Sequence, residues 1–179
     1  ATSTALMILA LREMGAQVEY LVPDRFKYGY GLTPAIADLA FTSFTPDLLI
    51  TVDNGISSHD GVKQAQDHGM QVIITDHHLT TKPTPSAQAV VNPNQLECDF
   101  PSKALAGVGV AFYVLANLST YRKNLNKSSA IMSQYLDLVA LGTYADVASL
   151  DYNNRILVDV GLKRIQQHLC RPGISALLE

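Results

Sequence analysis

Two short runs constrain this chain more than anything else in it. Residues 47–52 (DLLITV) and 70–75 (MQVIIT) are apolar or β-favouring almost throughout, and each is followed at once by an aspartate, Asp53 and Asp76. A strand with one wet face alternates, whereas a continuous run of this length belongs to a strand covered on both faces, the habit of parallel sheets. A third such run spans residues 87–91 and ends at Asn92-Pro93. Residues 18–22 read as a further short strand, stopped by Pro23. Between the runs lie helix-like segments. Residues 34–41 follow Thr33 with Pro34 at the first helical position, and residues 57–68 open on Ser57 and Ser58 and close at Gly69. Strands alternating with helices predict an α/β, doubly wound, mainly parallel sheet with helices on both faces. From Leu105 the pattern turns helical, over 105–118, 130–141 and 155–169. Residues 1–100 are therefore expected to form the α/β part and residues 101–179 a mostly helical part of the same domain.

Composition narrows the function classes. The 179 residues are 47% hydrophobic, enough to bury a core without staples. Two cysteines, Cys98 and Cys170, supply neither a disulfide framework nor a four-thiolate metal site, which points to a reducing compartment. No apolar run approaches the ~18–20 residues that span a bilayer. A cytoplasmic protein without a membrane partner is expected. Net charge is −3, yet residues 1–100 carry −6 and residues 101–179 carry +3. This asymmetry reads either as ordinary variation on solvated faces or as a cation-collecting half beside one that faces phosphates. The first residues, ATSTALMILAL, enter helical spacing directly and without an initiator Met, as a segment of a longer protein would.

The chemistry concentrates where the two runs end. In open parallel sheets, ligands bind outside the carboxyl ends of the strands. Asp53, followed by the turn-forming Asn54-Gly55, and Asp76, followed by His77 and His78, would then share one crevice. Their separation of 23 residues suits a helical crossover between parallel neighbours. Two carboxylates and two imidazoles on one rim serve packing poorly and serve a divalent cation of mixed O/N preference, such as Mn²⁺, well. Alone, Asp53 reads equally as a helix cap, and a His pair as a surface accident. Asp146, after Gly142-Thr143, is a third candidate carboxylate, with a capping role as the alternative. Gly142-Thr143 is expected to break the helix before it.

Asp53-Asn54-Gly55, Asp76-His77-His78 and Gly142-Thr143-Tyr144-Ala145-Asp146 resemble the second, third and fourth motifs of the DHH phosphoesterase superfamily. PDRFKYGYGL (23–32), TVDNGISS (51–58), ITDHHL (74–79), VVNPN (90–94), FPSKALAGVGVAF (100–112), NNRILV (153–158) and CRPGI (170–174) are similar to its branch of bacterial single-strand-specific 5′→3′ DNA exonucleases. The superfamily's Asp-rich first motif would precede Ala1, and its substrate-gripping domains would follow Glu179. Tyr144 stands where an aliphatic residue is commoner.

The resemblance implies phosphodiester hydrolysis with two Mn²⁺ or Mg²⁺ ions, in recombination and repair. It implies that Asp53 bridges the ions, that Asp146 and His77 ligate, and that Asp76 ligates weakly or orients His77. His78 would contact the phosphate or assist the leaving group, so that His78 and Asp76 are the candidate catalytic pair. Single-stranded DNA is the implied substrate, with single-strand-binding protein and a helicase as implied partners. Without the Asp-rich motif, this chain alone is expected to bind metal weakly and to cut little or not at all. Arg25 with Tyr28 and Tyr30 can pair with a phosphate and stack on a base, or be plain surface residues. Lys103 offers a further charge to DNA. Gly107 and Gly109 suit either close helix packing or phosphate contact through backbone N–H groups. Arg155 reaches back to the site or serves as a structural partner. His59, His68 and His168 read as solvated or capping residues. Two rival readings keep the same residues: an oligoribonucleotide or cyclic-dinucleotide phosphodiesterase, and an inactive nucleic-acid-binding or scaffold relative.

Overall fold

The structure, a computed structural model, describes residues 1–178. They form two compact units, Glu19–Phe100 and, beside it in the chain, Ala1–Val18 together with the residues from Pro101 onward.

In the first unit, β1 (Leu48–Val52), β2 (Gln71–Thr75) and β3 (Ala89–Val91) make a parallel sheet in the order β1-β2-β3. The α/β expectation holds, and each continuous run becomes a strand. Register is what positions the site. Val52 pairs with Thr75 and Thr75 with Val91, so all three strands end level. Asp53 N–H donates to Thr75 O (2.9 Å) and Asp76 N–H to Val91 O (3.0 Å), extending the ladder one residue past the strands. Helices α3 (Pro34–Phe44) and α4 (His59–Asp67) supply the core, with Ile36, Ala37, Val62 and Ala65 closing on Val72 and Ile74 of β2.

Thr33 caps α3 as expected, accepting from Ile36 N–H. Ser58 holds the N-cap position of α4, but its side chain makes no cap bond. Its hydroxyl accepts from Leu32 N–H (3.0 Å), and the α4 backbone at Gly61 sits so close to Leu32 that a Cβ would fall 1.9 Å from its carbonyl oxygen. Together these contacts pin the 29–33 loop onto the start of α4. The expected strand over 18–22 does not form. Tyr20 and Val22 are exposed and only Leu21 reaches the core. β-branched composition favours a strand only where a partner edge is at hand.

The second unit is helical: α1 (Thr2–Glu13), α5 (Gly107–Asn124), a 3₁₀ turn at Met132–Tyr135, α6 (Leu136–Ala145), α7 (Tyr152–Gln166) and a short α8 (Pro172–Ser175). Helix α1 belongs here, because Leu6, Met7 and Ala10 are buried in its packing against α5 and α6. The sequence reading had assigned it to the α/β part. Helix α6 is apolar around most of its circumference and is accordingly enclosed, by α1, α5 and α7. Gly142 does not break it. The helix runs on to Ala145, and Gly142 is a contact point where a Cβ would stand 2.4 Å from Thr2 Oγ1. Asp137, in the first turn of α6, is fully buried and paired with Arg171.

Candidate metal centre

The turn after β1 is built to present Asp53. Asp53 itself adopts a left-handed backbone (φ +64), a conformation that Asp and Asn tolerate better than most residues. Asn54 Nδ2 donates back to Val52 O (2.9 Å), and Thr51 Oγ1 donates to Asn54 O (2.7 Å). Gly55 follows at φ +116, and a Cβ there would lie 2.6 Å from Thr51 Oγ1. Only glycine satisfies both the angle and the space. The Asp53 carboxylate, 43% exposed, lies 3.1 Å from Nε2 of His77, whose side chain is 17% exposed.

The turn after β2 is organised by Asp76, which is 1% exposed. One carboxylate oxygen accepts from His77 N–H (2.7 Å), from His78 N–H (3.2 Å) and from His78 Nδ1 (2.6 Å), while the other accepts from Ile56 N–H (2.9 Å). A carboxylate facing Nδ1 assigns the ring proton to that nitrogen and leaves Nε2 with an open lone pair in the neutral tautomer. The two imidazole rings stand 4.5 Å apart between centroids and tilted by 57°.

Ligand atoms of Asp53, His77 and His78 all lie within 4.8 Å of one another. One carboxylate oxygen and two imidazole nitrogens converging at a strand-end rim fit a divalent transition ion of intermediate softness. Asp76 stands outside this set. Its hydrogen bonds go to the backbone of Ile56, His77 and His78 and to the His78 ring, so the ring it orients is that of His78, where the expectation is His77.

The remaining expected residues distribute as follows. Asp146 belongs to the helical unit, where it is the exposed C-cap residue of α6. It is followed by Val147 in a left-handed conformation (φ +53). Arg25 and Tyr30 come together: Arg25 Nη1 donates to the Tyr30 hydroxyl (3.2 Å), and the guanidinium lies 5.3 Å from the centre of a ring that is 81% exposed. Phe26, in the same short helix α2 (Arg25–Tyr28), is 96% exposed and was passed over in the sequence. The interleaving of basic and aromatic residues in RFKY was the available signal. Lys103 is exposed. Gly107 and Gly109 are buried at the start of α5, and Gly109 N–H is bonded to Ala106 O, which favours the packing alternative for it. Arg155 donates to Leu150 O (3.1 Å). His68, left without a role in the sequence, lies 2.6 Å from Asp38 Oδ1.

Comparison with known proteins gives a consistent picture. Residues 1–143 match the family described as the DHH family, N-terminal domain. The chain is similar to the single-stranded-DNA-specific exonuclease RecJ of Escherichia coli, at 53% identity over 100% of this chain and 32% of that protein. It is also similar to RecJ of Bacillus subtilis, at 40% identity over 99% of this chain and 21% of the relative. A crystal structure of exonuclease RecJ bound to manganese superimposes with a TM-score of 0.78 at 37% identity, covering 92% of this chain and 40% of that one. The chain thus spans about a third or less of the length of these curated relatives.

Proposed function

This chain belongs to the DHH family, and from that premise we propose that it carries the metal-binding core of a 5′→3′ exonuclease that hydrolyses single-stranded DNA with Mn²⁺ or Mg²⁺. The observation that carries the reading is the convergence of Asp53, His77 and His78 at the level ends of neighbouring parallel strands. Asp53 and His77 would hold the cation, their present contact being one that a cation between them replaces. When bound, the cation supplies Lewis-acid polarisation of the phosphodiester and neutralises charge that develops on it. His78, held through Nδ1 by Asp76, would offer the Nε2 lone pair to the cation or, with the ring doubly protonated, donate from Nε2 to a phosphate oxygen or the leaving oxygen. Asp146 is proposed as a further ligand. Arg25 and Tyr30 are proposed to take a phosphate and a base, with Phe26 as a second stacking surface.

The printed names of the relatives, all single-stranded-DNA exonucleases, support DNA as the substrate class. Single-strand-binding protein and a helicase are proposed as partners, and the bacterial cytoplasm as the site of action. No helix among the described residues is long and apolar enough to cross a membrane. The test is digestion of 5′-labelled single-stranded DNA, with and without Mn²⁺, by a protein containing this chain and by its His77→Ala variant. Metal-dependent loss of label that the variant lacks supports the reading. Equal digestion by both, or digestion in the presence of a chelator, contradicts it.

A further inference from the structure

The backbone that carries His77 and His78 leaves the sheet after Asp76, and from there on no strand satisfies its peptide groups. The two N–H groups are bound by the Asp76 carboxylate. The two carbonyls are bound from the other side, by a pair of asparagines. Asn94 Nδ2 donates to His77 O (2.6 Å) and Asn92 Nδ2 donates to His78 O (2.9 Å). All four peptide groups of the histidine pair are thereby fixed by three side chains.

We propose that Asn92 and Asn94 form a neutral amide clamp that sets the position of both histidines for metal binding. They are positioning residues, and the proposal rests on the metal-centre reading above. Three observations carry it. First, the orientation of Asn92 is determined by its surroundings: its Oδ1 accepts from Asn94 N–H (2.8 Å), so the NH₂ end must face His78 O. Second, Asn92 is 2% exposed, which makes it a committed donor with no water to exchange for. Third, sheet register brings the clamp to its targets, because Val91 pairs with Thr75 and its carbonyl takes Asp76 N–H, so Asn92 follows the ladder level with the start of the histidine turn.

The amide is also the appropriate chemistry. A carbonyl needs a donor, and a lysine or arginine would put a positive charge beside the cation. A carboxylate would repel the carbonyl. Asparagine donates without charge, from a short side chain that loses little freedom when ordered. Groups that orient metal ligands in this way typically alter affinity by about tenfold or more when removed.

The test uses the whole chain with ¹⁵N-labelled histidine rings, where the ring signal of His68, paired with Asp38, serves as an internal reference. Two variants are compared with the parent: Asn94→Ala, at a half-buried position, and Asn92→Asp, which keeps the shape and the acceptor for Asn94 N–H but loses the donor. The expected result is that Asn94→Ala melts within a few degrees of the parent while Asn92→Asp, which sets a buried carboxylate against the His78 carbonyl, folds but melts lower, that the His77 and His78 ring signals shift in both while His68 stays, and that the Mn²⁺ concentration needed to broaden them rises about tenfold. Unshifted His77 and His78 signals with an unchanged Mn²⁺ titration would overturn the clamp. Shifted signals in variants of a parent that Mn²⁺ never broadens would uphold the clamp and remove the metal reading, so the two failures are distinct.

Discussion

Asp53, Gly55 and Asp76 do their work through backbone geometry as much as through side-chain chemistry. Asp53 is held at φ +64 and Gly55 at φ +116, both at a rim where donor atoms must converge. Left-handed residues of this kind cost on the order of 1–3 kcal/mol when the residue type is wrong for them. Gly55→Ala adds a methyl 2.6 Å from Thr51 Oγ1 on top of that strain. It is therefore expected to lower unfolding free energy by about 2 kcal/mol or more, read by urea denaturation. Asp76→Asn keeps the shape but turns an acceptor of four hydrogen bonds into a mixed group whose NH₂ end meets N–H donors. A stability loss of about 1–3 kcal/mol and a fall in nuclease activity are expected together, in the same denaturation series and in the 5′-label assay. A stable, fully active Asp76→Asn would contradict its positioning role. The sequence displayed Asp53, Asp76 and the His pair plainly, because strand ends and ligand-type residues coincide there. It was silent on Asn92 and Asn94. Their motif reads as a strand terminator and as one of the runs that carry the family resemblance, with no role for either side chain, and a side-chain bond across fourteen or more residues leaves no periodic trace.

Between elements, polar pairs fasten what the apolar core aligns. In the α/β unit, Asp38 of α3 meets His68 at the C-terminus of α4 (2.6 Å), Gln64 Nε2 donates to the same oxygen (2.7 Å), and the His68 ring stacks on Phe41 at 4.4 Å. The hydrogen bond from His68, and next that from Gln64, hold the Asp38 carboxyl below its ordinary value of 3.8. A depressed carboxylate contributes stability that is present above pH 3.8 and lost as pH falls through the lower folded value. The difference in melting temperature between the parent and Asp38→Asn should accordingly shrink as the pH drops below about 4. A difference that stays unchanged from pH 4 to pH 2 would exclude a stabilising Asp38–His68 bond.

In the helical unit, Asp137 is fully buried and takes Leu138 N–H, Arg171 N–H and the Arg171 guanidinium, which also lies over the Tyr135 ring. Arg171→Ala strands that buried charge and is expected to cost about 3–5 kcal/mol in unfolding free energy. Burial, and then the hydrogen bond to Glu13, push the Tyr135 phenol above its ordinary value of 10.0. Stability from this group is intact below pH 10 and declines above it, so Tyr135→Phe should flatten alkaline unfolding followed by phenolate absorbance. Element type was legible in the sequence wherever a run was long and periodic. Residues 18–22 and Gly142 misled, since a strand needs a partner edge and a glycine can mark close packing as readily as a break.

At the scale of the whole molecule, Asp53, His77 and His78 belong to the parallel-sheet unit and Asp146, at the end of α6, to the helical unit. Each unit has its own reason to be rigid where its candidate ligand sits, one through level strand ends and side-chain-fastened turns, the other through a helix enclosed on several sides. Patterning sufficed to separate an α/β region from a helical one, but it assigned α1 by position in the chain, whereas its buried face belongs to α5 and α6. The central claim, that the sheet rim binds a divalent cation through Asp53 and His77, is tested most directly by titrating Mn²⁺ into the metal-free protein. Loss of the free-ion electron paramagnetic resonance signal is followed for the parent, Asp53→Ala and His77→Ala, with His168→Ala as an unrelated control. Uptake by the parent and the control that weakens by about tenfold or more in both rim variants is the predicted result. Equal uptake by all four proteins, or none by the parent, would contradict the account.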